Sequence, residues 1–94
     1  MENNQKYIIR CDRAGVFYAE IKERRGSEAD LVNVRRVHAW SGAASLSQMA
    51  LEGLSSDSRV TMVVPEMTVL GIIELIPCSE AAVKSLDGVK VWKV

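Results

Sequence analysis

The sequence predicts a small α+β domain, either a compact antiparallel sheet or an open barrel of about five to six strands, with one central short helix and a second short C-terminal helix. Three observations carry that expectation. Runs rich in β-branched and aromatic residues alternate with polar ones between turn residues, the pattern of strands with one buried face. Ser45 and Ser79 each stand at the head of a stretch with helical spacing. The chain has 94 residues, enough for a single domain over 1–94 that buries roughly 60–65% of its unfolded surface.

The elements follow in order. Tyr7–Cys11 reads as a strand, and Val16–Glu23 as its partner across a turn near Ala14-Gly15. In the second run Phe17, Ala19 and Ile21 share one face while Tyr18, Glu20 and Lys22 take the other. Arg24-Arg25-Gly26-Ser27 is a turn, and Ala29 to about Val37 completes a meander. After the Ser41-Gly42 break, Ser45 and Gln48 form a capping box, with the serine bonding the N3 amide and the glutamine reaching back. Leu46, Met49, Ala50 and Leu54 give this helix one apolar face, and Gly53 with Ser55–Ser58 ends it. Two β-like runs, Arg59–Val64 and Val69–Ile76, flank a turn at Pro65-Glu66-Met67, and the nearly all-apolar second run is expected to be central. Ser79 caps a helix through Leu86, stopped by Asp87-Gly88, and Val89–Val94 alternates as a last, lysine-bearing edge strand.

Twelve basic and twelve acidic residues cancel, which argues against a nonspecific nucleic-acid binder while leaving room for a local anion site. A hydrophobic fraction of 48% with 26% charged residues is that of a globular chain. So small a core makes a homo-oligomer the expectation. Cys11 and Cys78 stand apart, without zinc-site spacing or disulfide density, and read as reduced core thiols of a cytoplasmic protein. The polar opening Met1–Lys6 and the absence of a long apolar run indicate neither secretion nor a membrane.

The candidate site is the stretch where the third strand breaks into the helix: Arg35, Arg36, His38, Trp40, Ser41, Gly42, Ser45 and Gln48. Arginines, an aromatic ring and a helix start together suit a cyclic nucleotide or another phosphate-bearing small ligand. Arg35 and Arg36 are adjacent in a strand and point to opposite faces, so only one can address a given site; the other is solvated or paired with an acid such as Glu28 or Asp30. Trp40 is either a packing ring or a stacking platform, and Ser45 with Gln48 either a cap alone or part of the site. His38 is the only histidine, which leaves no metal-site spacing; no cofactor is expected, and a His–Cys pair would need a contact with Cys11 or Cys78. Glu74, inside an apolar strand, faces a polar pocket, an interface or solvent. No phosphate loop, zinc signature or nucleophile elbow occurs, so a binding function is expected in place of an enzymatic one.

The run Ala39–Gly53, together with Ile73–Glu80 and Val89–Lys93, resembles a family of small phage and prophage proteins known as a domain of unknown function. The chain departs from it at His38-Ala39, where bulkier aromatics are common, and at Ser41, where an aspartate is common. The resemblance implies a phage context, the cytoplasm of an infected bacterium, and stoichiometric binding. The leading expectation is a non-enzymatic protein that sequesters a nucleotide-type host immune signal, by analogy with small oligomeric phage proteins. The alternative is a protein-interaction module acting through Val89–Val94 or the exposed face of the central helix.

Overall fold

The computed structural model describes residues 5–94, so the first four residues of the polar opening Met1–Lys6 lie outside the described residues. Three antiparallel strands form a meander: β1 (Lys6–Cys11), β2 (Gly15–Arg25) and β3 (Glu28–Ala39). Helix α1 (Leu46–Glu52) follows, then β4 (Arg59–Val60), β5 (Val64–Val69), β6 (Ile72–Pro77) and α2 (Glu80–Gly88). The strand order is β4-β3-β2-β1-β6, with β5 lying beside β4 along the same side of β3. The expected α+β class is the observed one.

Alternation in the strands builds two cores, one on each face of the sheet. Ile8 pairs with Tyr18, and both point toward the helices, where Met49, Ala50, Ala82 and Leu86 cover them. Ile9 pairs with Phe17 and both point the other way, into a second core with Ala19, Ile21, Leu31, Val34 and Val69. Phe17, Ala19 and Ile21 do share a buried face, but Tyr18 opposite them is also fully buried. The sheet therefore has two buried sides over much of its area.

Curvature encloses the second core without a covering helix. Register shifts in the β2–β3 ladder fall between Tyr18 and Glu20 and between Ile21 and Glu23, and Asn33 sits at φ 53° at the first of them. Such bulges bend long strands. The chain then passes from β5 at one edge of the sheet to β6 at the other in two residues, Leu70 and Gly71. Gly71 takes φ +74° there, and its carbonyl accepts the Asp12 amide at 2.8 Å. The Ile72 amide reaches Ser27 O at the tip of the β2–β3 hairpin, also at 2.8 Å. These bonds tie the two edges at this corner, while the sheet itself stays open.

The helices close the first core. Ser45 Oγ accepts the Gln48 amide at 3.1 Å as expected, whereas the Gln48 side chain reaches one residue beyond the cap, to the Ala44 amide at 2.7 Å. Ser79 caps α2 through the Ala82 amide and ties it to α1, donating its hydroxyl to Leu51 O at 2.6 Å. Met49 and Ala50 are buried, with Leu46 and Leu54 packed beside them, as the helical spacing requires.

Four expectations are corrected. Pro65-Glu66-Met67 is strand, within β5; β5 has only β3 as a neighbour, and an edge strand tolerates a proline. The Val69–Ile76 run is broken at Leu70-Gly71, and β6 is an edge strand beside β1 rather than a central one. The Arg59–Val64 run is not one strand: Arg59–Val60 is β4, Thr61–Val63 interrupt it with only the Thr61 amide still bonded to a backbone carbonyl, Arg36 O at 3.0 Å, and Val64 opens β5. Val89–Val94 forms no strand; a single parallel bridge joins Val91 to Val60. Among the described residues no helix is long and apolar enough to cross a membrane.

Candidate functional site

The strand register lays Val16, Arg10 and Glu74 in one row across β2, β1 and β6 on the helix-bearing face. The neighbouring row, Tyr18, Ile8 and Ile76, is covered by the helices. Helix α1 has only seven residues, and beyond its first turn the Val16–Arg10–Glu74 row opens into a cleft of about 550 Å³. Its other walls are Trp40, leaving the end of β3, and Ser45, Leu46 and Ser47 at the start of α1.

The cleft pairs an apolar surface with free polar groups. Trp40 is 39% exposed. Arg10 and Glu74 are both exposed and, side by side across the ladder, neither makes a side-chain hydrogen bond or ion pair with another described residue. The amides of Leu46 and Ser47 precede the first intrahelical bond, from Met49 N to Ser45 O at 3.0 Å. A flat ring can lie on Trp40 while an anionic group meets the Arg10 guanidinium and a donor meets Glu74.

The eight residues singled out from the sequence do not converge. Trp40 and Ser45 line the cleft. Arg35 is only 4% exposed and gives its guanidinium to backbone carbonyls: Nε to Thr61 O at 2.8 Å, NH1 to Leu86 O at 2.7 Å, NH2 to Val89 O at 2.8 Å and to Val60 O at 3.3 Å. Burial lowers its pKa, partly offset by the Asp87 carboxylate. Neither Glu28 nor Asp30 is its partner; both bind Arg25. Arg36 lies on the opposite sheet face, its guanidinium 4.7 Å from the Phe17 ring centroid and bonded to Ala14 O at 2.7 Å. His38 stacks on Trp92 with ring centroids 4.6 Å apart. Ser41 donates its hydroxyl to Asp57 at 2.7 Å. Gly42, at φ +88°, passes so close to Ser55 that a Cβ would lie 2.7 Å from that residue's amide nitrogen. Gln48 is held by the Ala44 amide and Glu52.

Arg10 is the residue that sequence reasoning missed. Its signal was present: it shares a strand face with Ile8, so a charged side chain stood where the alternation called for core. Glu74, whose polar-pocket reading was one of those left open, lines the cleft. The two cysteines are free and buried in different cores, Cys11 on the face away from the helices and Cys78 beneath the helices, and His38 belongs to neither core.

No curated protein and no solved structure matches the chain. A family model described as a domain of unknown function, DUF6948, matches residues 4–86. The chain belongs to the DUF6948 family.

Proposed function

We propose that this protein is a stoichiometric, non-enzymatic binding protein that captures a nucleotide-type ligand in the Trp40 cleft. The observation that carries this reading is the meeting in one cleft of an exposed indole and a guanidinium that makes no ion pair or side-chain hydrogen bond with a described residue, with Glu74 beside it as an acceptor. The indole stacks a base, Arg10 takes a phosphate, and Glu74 accepts from an exocyclic amine. In the phage context that the sequence resemblance implies, such capture withdraws a nucleotide signal from the host's defence.

The test is native mass spectrometry and calorimetry of the whole chain with cyclic di- and trinucleotides and cyclic ADP-ribose isomers, followed by heat release of the captured molecule. Recovery of an intact nucleotide is expected. Base stacking contributes roughly 1–3 kcal/mol, so Trp40→Ala should weaken binding by about tenfold or more, and Arg10→Ala by a similar factor. Unchanged affinity in both variants would remove the ligand from this cleft.

A second reading, interaction with a protein, is favoured by Leu70 and Ile73, which are 64% and 60% exposed at the β5–β6 corner and on edge strand β6. Edge strands recruit partner strands. An empty protein across the nucleotide panel, together with a stoichiometric partner lost on Ile73→Lys, would favour it.

A further inference from the structure

We infer that the chain carries a second anion site, separate from the Trp40 cleft, in the groove between the 56–59 loop and the C-terminal segment, and that it takes a run of adjacent phosphate groups. The groove holds about 440 Å³ and is lined by three cations, Arg59, Lys90 and Lys93, with the Trp92 ring and the Ser56 hydroxyl among them.

The backbone that carries the cations is held in place by the fold. Arg35 NH2 binds Val89 O at 2.8 Å at the head of the segment. Val91 bridges to Val60, and the Trp92 amide donates to Val60 O at 2.9 Å. His38 stacks on the Trp92 ring at an interplanar angle of 14°, and the Arg59 guanidinium lies 5.6 Å from the same ring's centroid. Lys90 and Lys93, either side of these anchors, are thereby brought to the groove that Arg59 enters from β4.

None of the three is in an ion pair with a described residue. The ion pairs among the described residues use Lys6, Lys22 and Arg25. The one carboxylate in the groove, Asp57, accepts the Ser41 hydroxyl at 2.7 Å. Three cations against one acid, in a chain of zero net charge, make a local positive field that a compact oligoanion relieves and a single carboxylate does not. With one face of Trp92 under His38 and Arg59 close to the ring, the groove recognises phosphates in preference to a stacked base.

The experiment is calorimetry on the full chain at low salt with inorganic tripolyphosphate and, separately, with a short oligothymidylate, repeated on the double variant K90E/K93E. Saturable binding of either probe is expected, weakening steeply as salt rises and falling by about tenfold or more in the variant. Binding of tripolyphosphate points to a free polyphosphate-bearing molecule as the source, and binding of the oligonucleotide alone to a single strand; both support the site. Binding of neither probe, or equal affinity in K90E/K93E, overturns it. Lys90 and Lys93 are exposed and outside the Trp40 cleft, so the variant should keep wild-type circular dichroism and any nucleotide binding there, which separates failure of this site from failure of the first.

Discussion

Arg35 shows how a single residue is assigned by what surrounds it. A guanidinium presents five donors in a fixed fork, and here four of its contacts are carbonyls from Val60, Thr61, Leu86 and Val89. Those carbonyls come from β4, the strand-like stretch after it and the C-terminal end of α2, where the helix dipole favours a cation. Arg35 thus fastens three parts of the chain without an acid. Arg35→Met takes this donor from four carbonyls, of which Val60 O keeps the Trp92 amide, and should lower stability by about 3–5 kcal/mol in urea unfolding. A loss under about 0.5 kcal/mol, the scale of an ordinary surface change, would show that the network contributes little. Trp40 is the contrasting residue: half out of the core, it should affect binding far more than folding.

Among elements, the two helices differ in what their caps hold. Ser45 serves α1 alone, through the Gln48 amide. Ser79 caps α2, and its hydroxyl and amide also satisfy Leu51 O and Ala50 O at the end of α1. Ser45→Ala should cost about 1 kcal/mol, the usual value for a lost cap, whereas Ser79→Ala should cost about 2 kcal/mol because the hydroxyl's second hydrogen bond, to Leu51 O, is lost with the cap. Equal losses in thermal unfolding would mean that the link between the helices carries no weight. Both caps were legible, since a serine at the head of a helical apolar pattern is a local signal. The strands after Arg59 were not. Pro65 and Met67 carry turn-like neighbours, yet they lie along the free side of β3, and which segment lies there is a non-local fact. Val89–Val94 alternates like a strand but meets only a two-residue neighbour, β4.

At the scale of the whole molecule, burial on both sheet faces places three acidic protons out of water. Burial pushes the Cys78 thiol up to about 11 from its ordinary 9.0. Burial also raises Cys11, and burial with the hydrogen bond to Asp87 raises Tyr18. In each case the folded state keeps a proton that the unfolded chain has released. The contribution of these groups to stability is therefore full below about pH 9 and falls as pH rises from about 9 to about 11, by about 2 kcal/mol for Cys78 itself. Urea midpoints across that window should fall, and less so in Cys78→Ala. A flat profile would contradict the burial of these groups, and an identical slope in Cys78→Ala would assign the loss to the others.

What the sequence determined by itself is the part written in local periodicity: the β1–β3 meander, the inward set Phe17, Ala19 and Ile21, the capped helices, and the buried reduced thiols. Those signals need only neighbours within a turn or a hairpin. The tertiary structure alone decided that Tyr18 is buried as well, that β5 and β6 meet at Gly71 at a corner of the open sheet, and that the eight candidate residues part company. It also brought Arg10 beside Glu74 and Trp40, and set Trp92 against His38. Strand pairing joins residues far apart in sequence, and a side chain one position along a strand points to the opposite face. Arg35 and Arg36 are adjacent in the chain, but one is sealed among carbonyls under the helices and the other lies over Phe17 on the far side of the sheet.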